Sequence, residues 1–258
     1  MSNTLILTQS AEGIHKLQIN RAEKKNALTL DMYRQMTSAL HRAESDDTVK
    51  VHLILGHDDV FSAGNDIQDF LGGIGGSKAG DDEQKKPPVL VFLDCLAGLE
   101  KPVVVGANGP AIGIGTTLLL HCDLVVLGET TRLRTPFVDL GLCPEAGSSL
   151  LMPQRLGRQR AAELLLLGGE IDAHTALAWG LANRVVSPEQ VAKTATEFAQ
   201  SLAKKPRAAL MLSKQLMLGA SEKSTIKDRI LEEGEHFLSQ LNSPEARSAF
   251  ERFLSKKP

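Results

Sequence analysis

No stretch of this chain approaches the ~18 consecutive apolar residues that a membrane-spanning helix needs. Net charge is equally sparse, because 29 Lys and Arg against 31 Asp and Glu leave a formal −2. That balance provides no positive field for nucleic acid or an anionic membrane, and neither is expected as a partner. Cysteine is rare: Cys95, Cys122 and Cys143 are far apart and outside any C-x-x-C pair. They read as buried reduced thiols, not a disulfide frame or a metal cage, which places the chain in the cytoplasm. The seven histidines contain no H-x-x-x-H pair, so no metal is expected. The opening MSNTLILTQS lacks a basic n-region, which speaks against a secretory signal. The closing FLSKKP is not an S-K-L address.

What is present is ordinary for a globular protein. Apolar residues make up 42% and charged residues 23%, and 258 residues suffice for a sizeable core. Leu5-Ile6-Leu7 and Leu17-Gln18-Ile19 read as two strands of a hairpin turning at Glu12-Gly13. Thr29 opens a helix in which Met32, Met36 and Leu40 form one stripe. Strands are expected at Val51 to Leu55, Pro102 to Val105 and Leu124 to Leu127, with helical stretches at Val89 to Leu99 and Thr116 to His121. Alternating strand and helix predicts an α/β layer architecture. The glycine-rich, then charged run from Gly72 to Pro88 reads as a mobile surface segment.

Strands nearly vanish after Gly147. Helical patterns fill Ser148 to Leu156, Arg160 to Leu167 and Asp172 to Trp179, with Asp172 suited as an N-cap. Three further helices run from Glu189 to Leu202, Arg207 to Leu218 and Ser224 to Leu241. The change of character divides the chain into a core, 1–195, and a helical region, 196–258, serving self-association or folded back on the core.

Three small-residue segments carry the chemistry: F-S-A-G-N-D (Phe61 to Asp66), N-G-P-A-I-G-I-G-T-T (Asn108 to Thr117) and T-P-F-V-D-L-G-L-C-P-E-A-G-S-S (Thr135 to Ser149). In the first two, glycines let main-chain N–H groups approach a ligand closely. The second opens a helix, whose free N–H groups suit an oxyanion. Each cluster taken alone reads equally as a tight turn.

In this order, the segments resemble the crotonase (enoyl-CoA hydratase/isomerase) superfamily. N-R-A-E-K-K-N-A-L (Asn20 to Leu28) is similar to the family's N-R-P-x-x-x-N-A-L, and G-x-x-I-D-A-x-x-A-x-x-W-G-L (Gly168 to Leu181) to its turn-to-helix segment. The resemblance runs from Asn20 to Val186, about two thirds of the chain. It implies a crotonase-like spiral of ββα repeats with a C-terminal helical subdomain, assembling as trimers or dimers of trimers. It further implies an oxyanion hole made by the N–H groups of Asn65 and Ile114. Coenzyme A, part of the thioester substrate and not a prosthetic group, would lie along Ala63, Gly64, Asn65, Asp66 and Ile67. Lys25 would sit near its phosphates, although a solvated lysine in a charged turn explains that residue equally.

Family hydratases add water with two glutamates, and the matching positions here are Thr117 and Phe137. Neither side chain can exchange a proton with water at neutral pH. A carboxylate stands instead at Glu145, in a P-E-A-G-S-S run similar to the Δ3,Δ2-enoyl-CoA isomerases of the peroxisomal type, where that glutamate is the base. The implied reaction moves an acyl-CoA double bond from C3 to C2 during unsaturated fatty-acid breakdown. One base suffices, given a pKa nearer neutrality than the ~4.3 of a free glutamate. Phe137, Leu140 and Leu142 are candidates for the apolar wall that would raise it. On position alone, Glu145 reads equally as a helix-start glutamate facing a dipole. Asp139 is the rival base, while Asp66 reads as a brace of the first loop and Asp123 as a helix end. Other enolate-forming reactions (hydration, thioester hydrolysis, dehalogenation) and a silent acyl-CoA-binding module remain as alternatives.

Overall fold

The structure, a computed structural model, describes residues 5–57, 59–69 and 86–255, except for the side chain of Leu254. Strands β1 (Ile6–Ala11) and β2 (Ile14–Ile19) form the hairpin, turning through Glu12 and Gly13, both at positive φ. Such a two-residue turn matches the twist of its flanking strands. Next come β3 (Val51–Leu55), β4 (Val103–Ala107), β5 (Pro110–Ile112), β6 (Leu124–Gly128) and β7 (Arg132–Arg134). The last strands are β8 (Glu170–Asp172) and β9 (Arg184–Val186).

The main sheet runs β1-β2-β3-β4-β6-β9, parallel from β2 onward. Every residue of β3 and β4 is buried, as expected of parallel strands covered on both faces. Their side chains alternate between two cores. Ile54, Val103 and Val105 face helices α1 (Leu30–Ser45) and α2 (Pro88–Gly98), joining Met32, Met36 and Leu40. Leu53, Leu55 and Val104 pack with Ala195, Ala199 and Ala203, which space at four residues along a later helix. Alanines at that spacing keep a helix face smooth and let it lie close to the strands.

A second sheet, β5-β7-β8, stacks beside the first. Three main-sheet strands, β3, β4 and β6, are each followed by a short segment of this second layer and then by a helix. β4 leads to β5 and α3 (Ile114–Thr117), and β6 leads to β7 and α4 (Ser148–Leu156). After β3 the second-layer segment shrinks to one parallel bridge, Ser62 to Ala111, before α2.

The remaining helices are α5 (Arg158–Leu165), α6 (Ala173–Ala178), α7 (Val191–Ala203), α8 (Arg207–Met217), α9 (Ala220–Leu241) and α10 (Pro244–Ser255). Residue 195, where the core was expected to give way to the helical region, lies inside α7. Helix α7 carries the alanine face just described, whereas α9 packs against α2 and α4. Thr29 and Asp172 are N-caps, accepting from Met32 N at 3.2 Å and Thr175 N at 2.7 Å. No described helix is long and apolar enough to cross a membrane. Cys95 and Cys122 are buried, but Cys143 is only half-buried.

A polar cluster lies within the first core. His52 Nε2 is 2.9 Å from Glu44 Oε1, an acceptor, so that nitrogen carries the proton. His52 Nδ1 and His15 Nδ1, 3.1 Å apart, then share a single proton between them. Burial, with His52 adding to it, lowers His15 to about 4, and burial lowers His121 likewise to about 4. In the unfolded chain both take up protons near pH 6.5. Their contribution to stability is therefore complete above pH 6.5 and drains as pH falls toward 4. Measured against His121→Gln, whose profile carries the contributions of the other groups, the urea midpoint of the parent should drop across that window, and parallel profiles would contradict it.

Candidate active site

The register of the second sheet builds the site. Ser62, Ala111 and Leu133 stand side by side in parallel chains. Parallel chains in register leave their strands in the same direction, so the segments that follow, 63–65, 112–114 and 136–137, converge. They line one cleft of about 660 Å³, partly open to solvent, with Ile67, Leu140, Leu142 and Phe237. Asn65 and Phe237 also line a narrower inner cavity walled by α2 and α9, about 370 Å³ with its solvent-open mouth included.

Asn65 and Ile114, both on the lining of the outer cleft, present main-chain amides to it. Leu28 N donates to Gly64 O and Asp66 N to Leu28 O, each at 2.8 Å, a parallel bridge between Leu28 and Asn65. In that pattern the N–H of Asn65 itself points away from Leu28. Ile114 is the first residue of α3, where an N–H has no acceptor within its own helix. Among the described residues, neither N–H donates to a main-chain carbonyl. Gly113 reaches this arrangement at φ 55° and ψ −118°, which only glycine adopts readily. A Cβ at Gly115 would stand 2.9 Å from Ser62 O, so the second layer closes only around a glycine.

The entry motif stitches this loop in place. Buried Asn26 donates to Val60 O and Phe61 O, both at 3.1 Å, and Ser62 Oγ donates to Asn26 O at 2.9 Å. Arg21 pairs with Asp66 at 2.7 Å, so Asp66 braces the loop. Lys25 is exposed, and its carbonyl accepts from Ala63 N at 2.9 Å.

Glu145 is buried, 6% exposed, on the inner cavity that Asn65 also lines. One carboxylate oxygen accepts from the Thr117 hydroxyl, and Oε2 has no partner among the described residues. Burial raises its pKa to about 8; the charge of Glu233 adds to the rise and the Thr117 bond opposes it. Glu145 does not cap α4. The amides of Gly147 and Ser149 donate instead to Glu233 of α9, at 2.6 and 2.9 Å, so Glu233 fills the role that position alone allowed for Glu145.

The rival acids lie elsewhere. Asp139 pairs with Arg134 at 2.8 Å and is about half exposed. Asp123 accepts from Val103 N at 2.7 Å and Lys214 Nζ at 2.8 Å. Phe137, Leu140 and Leu142 wall the outer cleft and not the surroundings of Glu145, whose apolar neighbours on the inner cavity are Val89, Leu90, Leu93 and Ile230 from α2 and α9. Among the described residues, no cluster of three or more His, Cys, Asp or Glu could hold a metal. Residues 70–85, most of the Gly72 to Pro88 run, lie outside the described residues.

Against this geometry, the sequence matches the family description "Enoyl-CoA hydratase/isomerase" over residues 9–258. The chain belongs to that family. It is 35% identical to enoyl-CoA delta isomerase 2 of Rattus norvegicus over 98% of its length, spanning 64% of that relative. It is 32% identical to 1,2-epoxyphenylacetyl-CoA isomerase of Escherichia coli, over 98% of this chain and 96% of that one. The structure of Pseudomonas aeruginosa OdaA superposes with a TM-score of 0.92 and 43% identity, covering 98% of this chain and 100% of the other. The spiral is thus the crotonase fold of the enoyl-CoA hydratase/isomerase family, and its relatives bear the names of different reactions.

Two residues of the site escaped the sequence reading. Tyr33, the only tyrosine, is fully buried and donates to Asn65 Oδ1 at 2.5 Å, fixing that side chain. Its place inside the α1 stripe gave no hint beyond core packing. Glu233, on a helix 88 residues after Glu145, carried no motif at all.

Proposed function

We infer that this family member is a Δ3,Δ2-enoyl-CoA isomerase. The observation that supports it is a buried carboxylate, Glu145, with one unpartnered oxygen on a cavity that also holds Asn65 and, among the described residues, has no other acid in its lining. Ionised Glu145 removes a C2 proton from a 3-enoyl thioester. The electrons of that C–H bond spread over the dienolate, and the negative oxygen is held by the N–H groups of Asn65 and Ile114. The same carboxyl returns its proton at C4, leaving the 2-enoyl thioester. No second acid is needed, which suits a threonine and a phenylalanine at positions 117 and 137. Apolar side chains from α2 and α9 around Glu145 keep water from quenching the dienolate.

Coenzyme A in this reading follows Ala63, Gly64, Asn65, Asp66 and Ile67 with Lys25 toward its phosphates. Assembly as trimers or dimers of trimers through the C-terminal helices belongs to the same proposal.

The test is an ultraviolet assay with 3-hexenoyl-CoA beside a hydration assay with crotonyl-CoA. Isomerisation should far exceed hydration, and the reverse ranking rejects the assignment. The working base must be ionised, so kcat/KM should fall as pH drops below about 8, the free-enzyme value for Glu145.

A further inference from the structure

The geometry points to Glu233 as a positioning residue that clamps the turn carrying Glu145, an inference resting on the isomerase reading above. Its two carboxylate oxygens accept separately, Oε2 from Gly147 N at 2.6 Å and Oε1 from Ser149 N at 2.9 Å. These amides lie two and four residues beyond Glu145. On the other side His121 Nε2 donates to Ala146 O at 2.8 Å, and Thr117 holds Glu145 itself. Between these anchors Ala146 sits at φ 61°, a left-handed conformation that costs a non-glycine residue energy and persists only when its surroundings impose it. The clamp imposes it. Helix α9 also walls the inner cavity with Ile230, Gly234 and Phe237, so one rigid element sets both the base and the space before it.

Glu233 has a second consequence. Tyr33 and Cys143 are the other titratable groups that face Glu145, and both are neutral: burial raises the phenol well above its usual value and the thiol to about 11. His121, lowered to about 4, is neutral as well, and Arg229 lies toward Glu233. Glu233 is therefore the group whose charge Glu145 feels.

The deciding variant is Glu233→Gln, near in shape, able to accept from one amide but not both. Its kcat should fall between about 10- and 100-fold, the usual cost of a misplaced catalytic group, with KM close to the parent's. The acid limb of the rate profile should move to lower pH. Glu233→Asp keeps the charge but shortens the reach, so its kcat should fall without that shift; it also serves if the glutamine variant folds poorly. A 13C-carboxyl titration of labelled glutamate, with the Glu145 signal identified by its loss in Glu145→Gln, reads the same coupling without substrate. An unmoved Glu145 titration and an unchanged kcat in Glu233→Gln would overturn the clamp. An inactive parent whose Glu145 signal still moves in Glu233→Gln would reject the isomerase reading and leave the clamp standing.

Discussion

Glu145→Gln should lower turnover on a 3-enoyl-CoA by about 10²–10⁴-fold, the usual worth of a general acid–base group. The amide keeps the size of the carboxyl and can still accept from Thr117, so the fold and the inner cavity should persist. It cannot take the C2 proton. Thioester binding depends on the outer cleft and the two amides, and should be largely retained. The clean signature is a fall in kcat with little change in the dissociation constant of a non-reacting acyl-CoA. Asp139→Asn serves as the control, since Asp139 is held by Arg134 away from both cavities. Activity that survived Glu145→Gln and vanished in Asp139→Asn would mean the base has been misassigned.

The second large effect is expected at Gly113→Ala. An added Cβ meets no neighbour closer than 3.9 Å, at Phe137, so no steric clash complicates the result. The cost is conformational: at φ 55° and ψ −118° an alanine must rotate its backbone, and the Ile114 N–H turns with it. Losing one oxyanion donor typically costs about 10²–10³ in kcat. Rate should fall by that order while the Glu145 titration stays in place, which separates this lesion from damage to the base. An alanine variant as fast as the parent would exclude the Ile114 amide from the chemistry.

The sequence is legible where local chemistry decides structure. Thr29 and Asp172 cap helices because their oxygens find the orphan N–H groups of a first turn, and the Met32-Met36-Leu40 stripe buries because its spacing faces one side. β3 and β4 read as strands because they are short apolar runs, broken only by His52. The second sheet is not legible, because β5, β7 and β8 are three residues each and are held by register with distant chains, not by their own pattern. Helix α10, opened at Ser243-Pro244, is likewise not among the helices expected from the sequence. At the site, Asn65, Ile114 and Glu145 stood out through motifs. Glu233 and Tyr33 did not, since a carboxylate or a phenol in an amphipathic helix looks the same whether it faces solvent, core or a catalytic turn.

In the proposed mechanism the anion is held by peptide backbone, whose path is set by the pairing of Ser62, Ala111 and Leu133. Substitution of the side chains at 65 and 114 therefore leaves its donors in existence, and only a change of backbone path removes them. Acids, by contrast, hang on separate turns and can be added, dropped or relocated one at a time. On that proposal, a lineage built this way can exchange one reaction for another while keeping an enolate intermediate. The different reaction names among the relatives of this chain fit that freedom, and they make the location of a lone carboxyl a better guide to activity than overall resemblance.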